Sequence, residues 1–426
     1  AYAFQEKMVP LPLPPDSGCA TIFIWFSVLE RGNFRTMHAF EFYQPTAIVF
    51  GPGTEAQAGP KAAQLGARRV LVVYGGQSAK ASGLLSRVLS SLDGAGLAHE
   101  TFGGIHPNPR LFQAREGVQK ALDFGADLIL AVGGGSTIDC AKVVAAARFY
   151  SGPAWDLIER KAPVTQVLPV FSVLTLSATG SEMDDVAVIS NWQTSEKRSI
   201  AHPAMRPVAS VLDPAYTFTV PANQTAAGTA DIMSHTLETY FSRCQTGYLQ
   251  DRMAEAILKT CIHFGPIALR TPDDYTARAN LMWASSHAIN GTIALGKECP
   301  WSVHTMEHQL SACYDITHGV GLAILTPAWM RYVLSEATAP KFAEYGVNVW
   351  GLDAALGQME LARRAIDATR RFFVEELHLP ATLREVGIGP ERFDEMAQKA
   401  ATPALQNEAY VGLGAADVKK IYEMCL

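Results

Sequence analysis

The pattern of apolar and polar residues divides the chain into two parts. Between about 45 and 210, short apolar runs at 47–50, 70–74, 128–132 and 167–173 alternate with helical patterns. Continuous apolar runs of this length, separated by amphipathic helices, predict βαβ units and a parallel sheet. The second and third runs pass directly into glycines, and ligands bind at the carboxyl ends of the strands in sheets of this kind.

Long helical patterns replace the strand-like runs after Pro221. They cover 226–243, 250–264, 275–294 and 356–376. The change, marked by Asp213-Pro214 and Pro221, predicts an α/β domain with a parallel sheet over 37–217 and an all-helical domain over 218–426. The fold class is therefore predicted as α/β followed by all-α.

Composition narrows the classes of function. The chain has 426 residues, of which 35 are basic and 41 acidic, and the resulting net charge of −6 leaves no electrostatic footprint for nucleic acid. No run of 18 or more apolar residues occurs, so we expect no membrane span. The seven cysteines form no CxxC pair, which favours a reducing cytoplasm over an oxidising compartment.

Residues 1–36 differ from the rest of the chain. They contain a proline-rich stretch at 10–15 and a short apolar run at 19–29, without a clear basic region or small-residue cleavage site. We interpret them as an appended leader, with a targeting segment as the alternative, and expect the domain to begin at Met37.

A glycine-rich turn follows the run at 128–132. Gly133, Gly134 and Gly135 allow close approach of the backbone to a ligand, and the amides and hydroxyls at the start of the next helix, with Ser136, can bind a phosphate. The turn is not GxGxxG, and a tight turn without a ligand is the alternative. A second turn at 175–182 offers further hydroxyl donors.

Five residues in the helical part form a candidate metal site. Asp231 and His235 lie one helical turn apart, His304 and His308 repeat that spacing, and His318 follows. A carboxylate with imidazoles suits Zn²⁺ or Fe²⁺, and an open coordination position would let the ion polarise a substrate oxygen. Each histidine taken singly is more often a structural residue, and the spacing alone does not select four ligands from the five.

The order of these motifs resembles the iron-containing (group III) alcohol dehydrogenase family, and its branch of butanol dehydrogenases and broad-range NADPH-dependent aldehyde reductases. The resemblance covers 37–426. The shared motifs are FGPG (50–53), YGG (74–76), FGGIHPNP (102–109), GGGSTIDCAK (133–142), ATGSE (178–182) and LDP (212–214), the helix pattern of Asp231 and His235, and the HxxxH pattern of His304 and His308 followed by His318.

The resemblance implies a dinucleotide-binding α/β domain and a metal-binding helical domain, with the site in the cleft between them. It implies Asp231, His235, His304 and His318 as ligands of one divalent metal, Fe²⁺ or Zn²⁺, and His308 as a nearby catalytic histidine that relays a proton. The implied cofactor-binding residues are Gly75, Gly76, Ser78, Asn108, Gly133, Gly134, Gly135, Ser136, Asp139, Thr175, Thr179 and Lys197.

Charge near the second strand bears on cofactor choice. NAD-preferring relatives carry an aspartate after this strand, whereas Gly75, Gly76, Gln77 and Ser78 include no acid. Amides and the Ser78 hydroxyl could accept a 2′-phosphate, which favours NADP(H), with NAD(H) as the alternative.

The predicted function is reversible hydride transfer between NADP(H) and primary alcohols or aldehydes such as butanol and butanal, in a cytoplasmic homodimer. A dehydroquinate-synthase-like lyase and a catalytically silent binding module are the alternatives. One departure is Asp184, where close relatives carry asparagine. Together with Asp185 we interpret it as solvent-facing.

Overall fold

The computed structural model describes residues 36–426, together with the backbone of two short strands earlier in the chain. The strands β1 (Gln5–Pro10) and β2 (Phe23–Val28) pair antiparallel. The remainder of 1–35 lies outside the described residues, so the interpretation of 1–36 as a leader stays a prediction.

Eight further strands are described in the first half of the chain. They are β3 (Ala47–Phe50), β4 (Arg69–Tyr74), β5 (Ala98–Phe102), β6 (Leu128–Gly133), β7 (Val170–Leu174), β8 (Val186–Asn191), β9 (Glu196–Ala201) and β10 (Ala209–Leu212).

Helices cover the sheet and form the second half. They are α1 (Ala58–Gln64), α2 (Ser78–Ala81), α3 (Leu84–Gly94), α4 (Leu111–Phe124), α5 (Gly135–Ala147), α6 (Ala154–Ile158), α7 (Ala222–Tyr240), α8 (Tyr248–Arg270), α9 (Tyr275–Ile289), α10 (Ser302–Tyr314), α11 (His318–Val333), α12 (Ala339–Asn348), α13 (Gln358–Arg371), α14 (Phe393–Ala400), α15 (Pro403–Asn407) and α16 (Ala415–Met424).

The predicted parallel sheet is confirmed. Six strands pair in the order β3-β10-β7-β6-β4-β5, and every pairing in this sheet is parallel. The central strands β6 and β7 are buried along their whole length, as expected for a sheet covered on both faces. The apolar pattern did not reveal β5, whose sequence AHETF is polar and partly exposed at the sheet edge, or the antiparallel hairpin of β8 and β9.

The helical part is also confirmed, and from Ala222 onward the described elements are helices only. Their core includes Met233, Leu322 and Phe342, which are almost completely buried. Among the described residues, no helix combines the length and apolar character needed to cross a membrane.

Close contacts join the two parts around a cleft. Asn108 Nδ2 donates to Asp315 Oδ1 at 2.9 Å, and the Arg110 guanidinium pairs with Asp315 Oδ2 at 2.8 Å. Within the helical part, a Cβ at Gly319 would lie 2.0 Å from the Ala227 carbonyl oxygen, so only glycine lets α11 approach α7 here. The contact at Gly319 places the first turn of α11 against the second turn of α7.

Candidate metal and cofactor site

One carboxylate oxygen faces three imidazole nitrogens between α7, α10 and α11. Asp231 Oδ1 lies 3.6 Å from His235 Nε2, 3.9 Å from His304 Nε2 and 3.8 Å from His318 Nε2. Asp231 and His235 share one face of α7, His304 lies in the first turn of α10, and His318 is the first residue of α11. Three helices therefore bring three imidazole nitrogens within 4 Å of one carboxylate oxygen, and the ligand atoms of Asp231, His304 and His318 also lie within 4.8 Å of one another.

The donor set fits a divalent cation. Asp231 Oδ1 and His304 Nε2 are buried and have no hydrogen-bond partner within the described part of the chain. Buried polar atoms are normally paired, so two unpaired atoms on adjacent side chains indicate a ligand that satisfies both. A carboxylate oxygen with imidazole nitrogens is a set that Zn²⁺ and Fe²⁺ accept.

The surroundings shift the pKa values of these candidate ligands. Burial raises the pKa of Asp231, but the facing histidines outweigh it and hold the pKa at about 2. Burial lowers the pKa of His235 to about 4, which leaves its ring neutral and able to bind a metal. Burial also lowers the pKa of His304, but Asp231 and Glu238 oppose it and raise the pKa to about 9, so metal binding at this ring displaces a proton.

Glu238 orients His304, a role that the spacing analysis missed. Its Oε1 accepts hydrogen bonds from Val303 N at 2.6 Å, His304 N at 3.0 Å and His304 Nδ1 at 3.2 Å, while Oε2 accepts from Ser302 N at 2.7 Å. One buried carboxylate thus caps α10 and fixes the ring of His304. Its position seven residues after Asp231, on the same face of α7, was the available signal.

Glu307 orients His318 in the same way, and the sequence analysis did not identify this role either. Its carboxylate accepts from His318 Nδ1 and from the Ser311 hydroxyl, and it is completely buried. Lys197 reaches the same group, with Nζ 3.1 Å from Ser311 Oγ, 3.5 Å from Glu307 Oε2 and 3.3 Å from His318 Nδ1. The predicted cofactor-binding lysine therefore lies directly behind a candidate metal ligand.

His308 lies beside the four-residue cluster. Its ring centroid is 5.7 Å from that of His318 and 6.5 Å from that of His304. Burial, together with the charge of Lys197, places the pKa of His308 well below its ordinary value. His308 also lines a cavity of about 470 Å³ with Lys197 and Thr305, so a small molecule can reach it.

Glu307, His308 and His318 form a second group whose ligand atoms lie within 4.8 Å of one another. We favour the Asp231 site over this one. Glu307 is already occupied by His318 and Ser311, and the ammonium of Lys197 lies beside it. A cation would be repelled there.

The glycine-rich turn joins the end of β6 to the start of α5. A Cβ at Gly135 would lie 2.1 Å from Thr179 Oγ1, and one at Gly133 would lie 2.4 Å from Thr137 Oγ1. These two glycines therefore make room for neighbouring threonines, and Gly135 lets the second polar turn pack directly on the first. Gly134 and Ser136 remain partly exposed at the cleft.

The other predicted cofactor residues fall into two groups. Gly76 and Ser78 are exposed and Gly75 partly so, beyond the end of β4, and Thr175 lies on the turn that follows β7. The side chains of Asn108 and Asp139 are instead engaged within the protein: Asn108 with Asp315, as above, and Asp139 with the Ser181 hydroxyl at 2.6 Å and Val188 N at 3.0 Å.

The solvent-facing interpretation of Asp184 is wrong. Asp184 is 5% exposed, and its carboxylate pairs with the ammonium of Lys142, which is fully buried. Asp185 pairs with Arg206 at 3.1 Å and is only partly exposed. No local pattern reveals the Lys142 partner, because Lys142 lies 42 residues before Asp184 and meets it only through the packing of α5.

Comparisons with known proteins point to one family. A family model described as iron-containing alcohol dehydrogenase matches residues 45–214, and a model for the C-terminal part of the same family matches 225–426. The chain is 54% identical over 364 residues to NADH-dependent butanol dehydrogenase A of Clostridium acetobutylicum, a match covering 85% of this chain and 93% of the relative. It is 37% identical over 366 residues to the NADPH-dependent aldehyde reductase YqhD of Escherichia coli, with coverage of 85% and 93%.

A solved structure extends the match to three dimensions. The crystal structure of NADH-dependent butanol dehydrogenase A from Thermotoga maritima aligns with a TM-score of 0.87 and 37% identity, over 92% of this chain and 100% of that chain. Both domains, the order of the motifs and the shared fold lead to one conclusion: the chain belongs to the iron-containing alcohol dehydrogenase family.

Proposed function

We propose that the chain is a metal-dependent alcohol dehydrogenase/aldehyde reductase that transfers hydride reversibly between NADP(H) and short primary alcohols and aldehydes such as butanol and butanal. The observation that carries the proposal is the single oxygen of Asp231 facing His235, His304 and His318 at 3.6–3.9 Å. Membership of a family of alcohol dehydrogenases and aldehyde reductases supports the reaction class.

Asp231, His235, His304 and His318 would hold Fe²⁺ or Zn²⁺. When bound, the metal polarises the carbonyl oxygen and the reduced nicotinamide supplies the hydride. Glu238 and Glu307 keep the rings of His304 and His318 in the orientation that binding requires.

His308 would handle the proton. Because its pKa is low, its ring is neutral, and a neutral imidazole relays a proton by donating from one nitrogen while accepting at the other. Its place on the wall of the 470 Å³ cavity gives it access to water. The Gly133–Ser136 turn at the start of α5 would bind the pyrophosphate, with Thr175 and Thr179 at the nicotinamide end.

The cofactor preference rests on the region after β4. Gly75, Gly76, Gln77 and Ser78 carry no negative charge, and the exposed Ser78 offers a hydroxyl donor, which supports acceptance of a 2′-phosphate. The relatives divide on this point, since the 54% identical butanol dehydrogenase is named NADH-dependent and YqhD is named NADPH-dependent. We therefore propose use of NADPH with NADH as a second cofactor.

The test is aldehyde-dependent oxidation of NADPH and of NADH across a short aldehyde panel, with metal analysis of the same sample. We expect turnover of butanal and about one bound Fe²⁺ or Zn²⁺ per chain in active protein. Absence of turnover with every aldehyde and both cofactors, in a sample that contains the metal, would refute the proposed reaction.

A homodimer in the cytoplasm completes the proposal. Among the described strands, β3 at the sheet edge pairs only with β10, and four aromatic side chains near it are 40–74% exposed: Phe40, Tyr43, Phe50 and Trp283. An apolar edge of this kind supports association with a second copy, and light scattering on purified protein tests it. Six unpaired cysteines within the described residues support a reducing compartment.

A further inference from the structure

A fully buried lysine holds the segment that connects the two cofactor-binding features. Lys142 lies two turns into α5, and its Nζ donates to Ser181 Oγ at 2.9 Å, to the Val186 carbonyl at 2.8 Å and to Asp184. All three partners lie within 181–186. All three N–H donors of the ammonium therefore bind to one short stretch of chain.

This stretch lies between two predicted parts of the cofactor site. Immediately before it is the turn that carries Thr179, which packs on Gly135. Immediately after it is the β8–β9 hairpin, in which Ser190 pairs with Lys197. Any shift of 181–186 relative to α5 therefore moves both Thr179 and Lys197.

Asp139 supplies a second attachment from the same helix. It accepts from the Ser181 hydroxyl, which also contacts Lys142, at 2.6 Å and from Val188 N, two residues beyond the last Lys142 contact, at 3.0 Å. The Ser181 hydroxyl therefore lies between the Lys142 ammonium and the Asp139 carboxylate. Hydrogen bonds of Asp139 and Lys142 therefore connect α5 to the first residues of β8. The first turn of α5 is the predicted pyrophosphate site.

Stability alone is a weak reason to bury this pair. Replacement of a buried ion pair by well-packed apolar side chains is often neutral or stabilising, because desolvation of two charges offsets their attraction. Buried pairs do, however, specify one arrangement, since loss of either partner leaves a charge without compensation. The pair of Lys142 and Asp184 favours one position of the Thr179 turn and of the β8–β9 hairpin relative to α5.

We propose that Lys142 and Asp184 are positioning residues for cofactor binding, which set the place of the Thr179 turn and of Lys197 relative to the glycine-rich turn. The inference rests on the proposed function for its ligand, a nicotinamide dinucleotide. Lys142 is fully buried and Asp184 is 5% exposed, so both side chains are enclosed by protein and neither is assigned a role in the chemical step.

The test compares Lys142→Met and the double variant Lys142→Met/Asp184→Leu with a matched control, Lys341→Met. Lys341 is 3% exposed and pairs with Asp251 at 2.6 Å in the helical part, so its substitution makes the same chemical change away from the cofactor turns. The double variant replaces both members of the buried pair by apolar side chains, which leaves no uncompensated charge, and it serves if Lys142→Met does not fold.

Two readouts distinguish positioning from bulk stability. Direct titration should show dinucleotide dissociation constants at least about tenfold higher in Lys142→Met and in Lys142→Met/Asp184→Leu, with unchanged metal content and aldehyde KM. Hydrogen exchange of 181–201 should accelerate in these variants and not in Lys341→Met. Unchanged dinucleotide affinity, or an equal loss in Lys341→Met, would overturn the proposal.

Failure of the proposed function gives a different result. If the wild-type protein binds a dinucleotide but reduces no aldehyde, the reaction is wrong and the affinity comparison still decides the role of Lys142. If it binds no dinucleotide, both are wrong. If it reduces aldehydes and the variants bind the cofactor normally, only the positioning role is wrong.

Discussion

Substitution of Glu238 by glutamine should weaken metal binding without removing a ligand. The two carboxylate oxygens accept four hydrogen bonds, three from backbone N–H groups at the start of α10 and one from His304 Nδ1. An amide offers one acceptor oxygen, so its NH₂ group must face at least one of these donors. The negative charge that favours the α10 N-terminus is also lost.

The size of the effect follows from these contacts. Loss of a partner that orients a metal-bound histidine typically lowers affinity by about 10–100-fold, which corresponds to about 1.4–2.7 kcal/mol. Loss of a helix cap costs about 1 kcal/mol of folding stability, and a donor left buried without a partner adds about 1–3 kcal/mol. We therefore expect a moderate loss of stability together with a separate loss of metal affinity.

The assay is titration of metal-depleted protein with Zn²⁺ against a competing chelator. Glu255→Gln is the matched control, because Glu255 is buried in the same domain and accepts from the Tyr240 hydroxyl and Arg252 without contacting a candidate ligand. Equal Zn²⁺ affinity in Glu238→Gln and wild type would refute the orienting role. Equal weakening in Glu255→Gln would assign the effect to general destabilisation.

Three further predictions concern cofactor, pH and proton transfer. Gly76→Asp should lower kcat/KM for NADPH relative to NADH by about tenfold through repulsion of the 2′-phosphate, whereas Gly76→Asn should not, because a Cβ at Gly76 meets no atom within 4 Å; an equal effect of both would contradict the charge argument. Burial raises the pKa of Glu182 to about 7, although a hydrogen bond from the Ser286 hydroxyl lowers it. Because the pKa in the folded protein exceeds the unfolded value of 4.5, the stability that Glu182 contributes is present at low pH, and the free energy of unfolding falls as the pH rises to about 7. Between pH 5 and pH 8, the free energy of unfolding of Glu182→Gln, measured in urea, should therefore rise by about 2 kcal/mol relative to that of wild type. Parallel curves of unfolding free energy against pH would exclude the raised pKa of Glu182. His308→Ala should reduce kcat by about 10²-fold or more at unchanged metal content, and a kcat near that of wild type would remove His308 from proton transfer.

The sequence predicted elements where one local signal dominated. The runs that became β4, β6 and β7 are almost entirely apolar because both faces of the sheet are covered, and this made them recognisable. Strand β5 is at the sheet edge, where polar residues are tolerated, and its pattern was indistinct. The hairpin of β8 and β9 lies outside the main sheet and had no comparable signal.

The site shows a similar division. The helical spacing of Asp231 and His235 was sufficient to pair them, whereas the approach of His318 depends on the packing of α11 against α7 at Gly319. Glu238 shares a face of α7 with Asp231, but its hydrogen-bond partners lie on α10, so the helical spacing alone did not reveal its role. Asp184 was misplaced for the same reason, since its charge is compensated by a residue distant in sequence.

Aldehyde reduction by metal-depleted protein, before and after addition of one equivalent of Fe²⁺ or Zn²⁺, tests the central claim most directly. The arrangement of Asp231, His235, His304 and His318 predicts that butanal-dependent oxidation of the reduced cofactor is lost on depletion and returns with the metal. Full turnover in protein shown to contain no metal would contradict it.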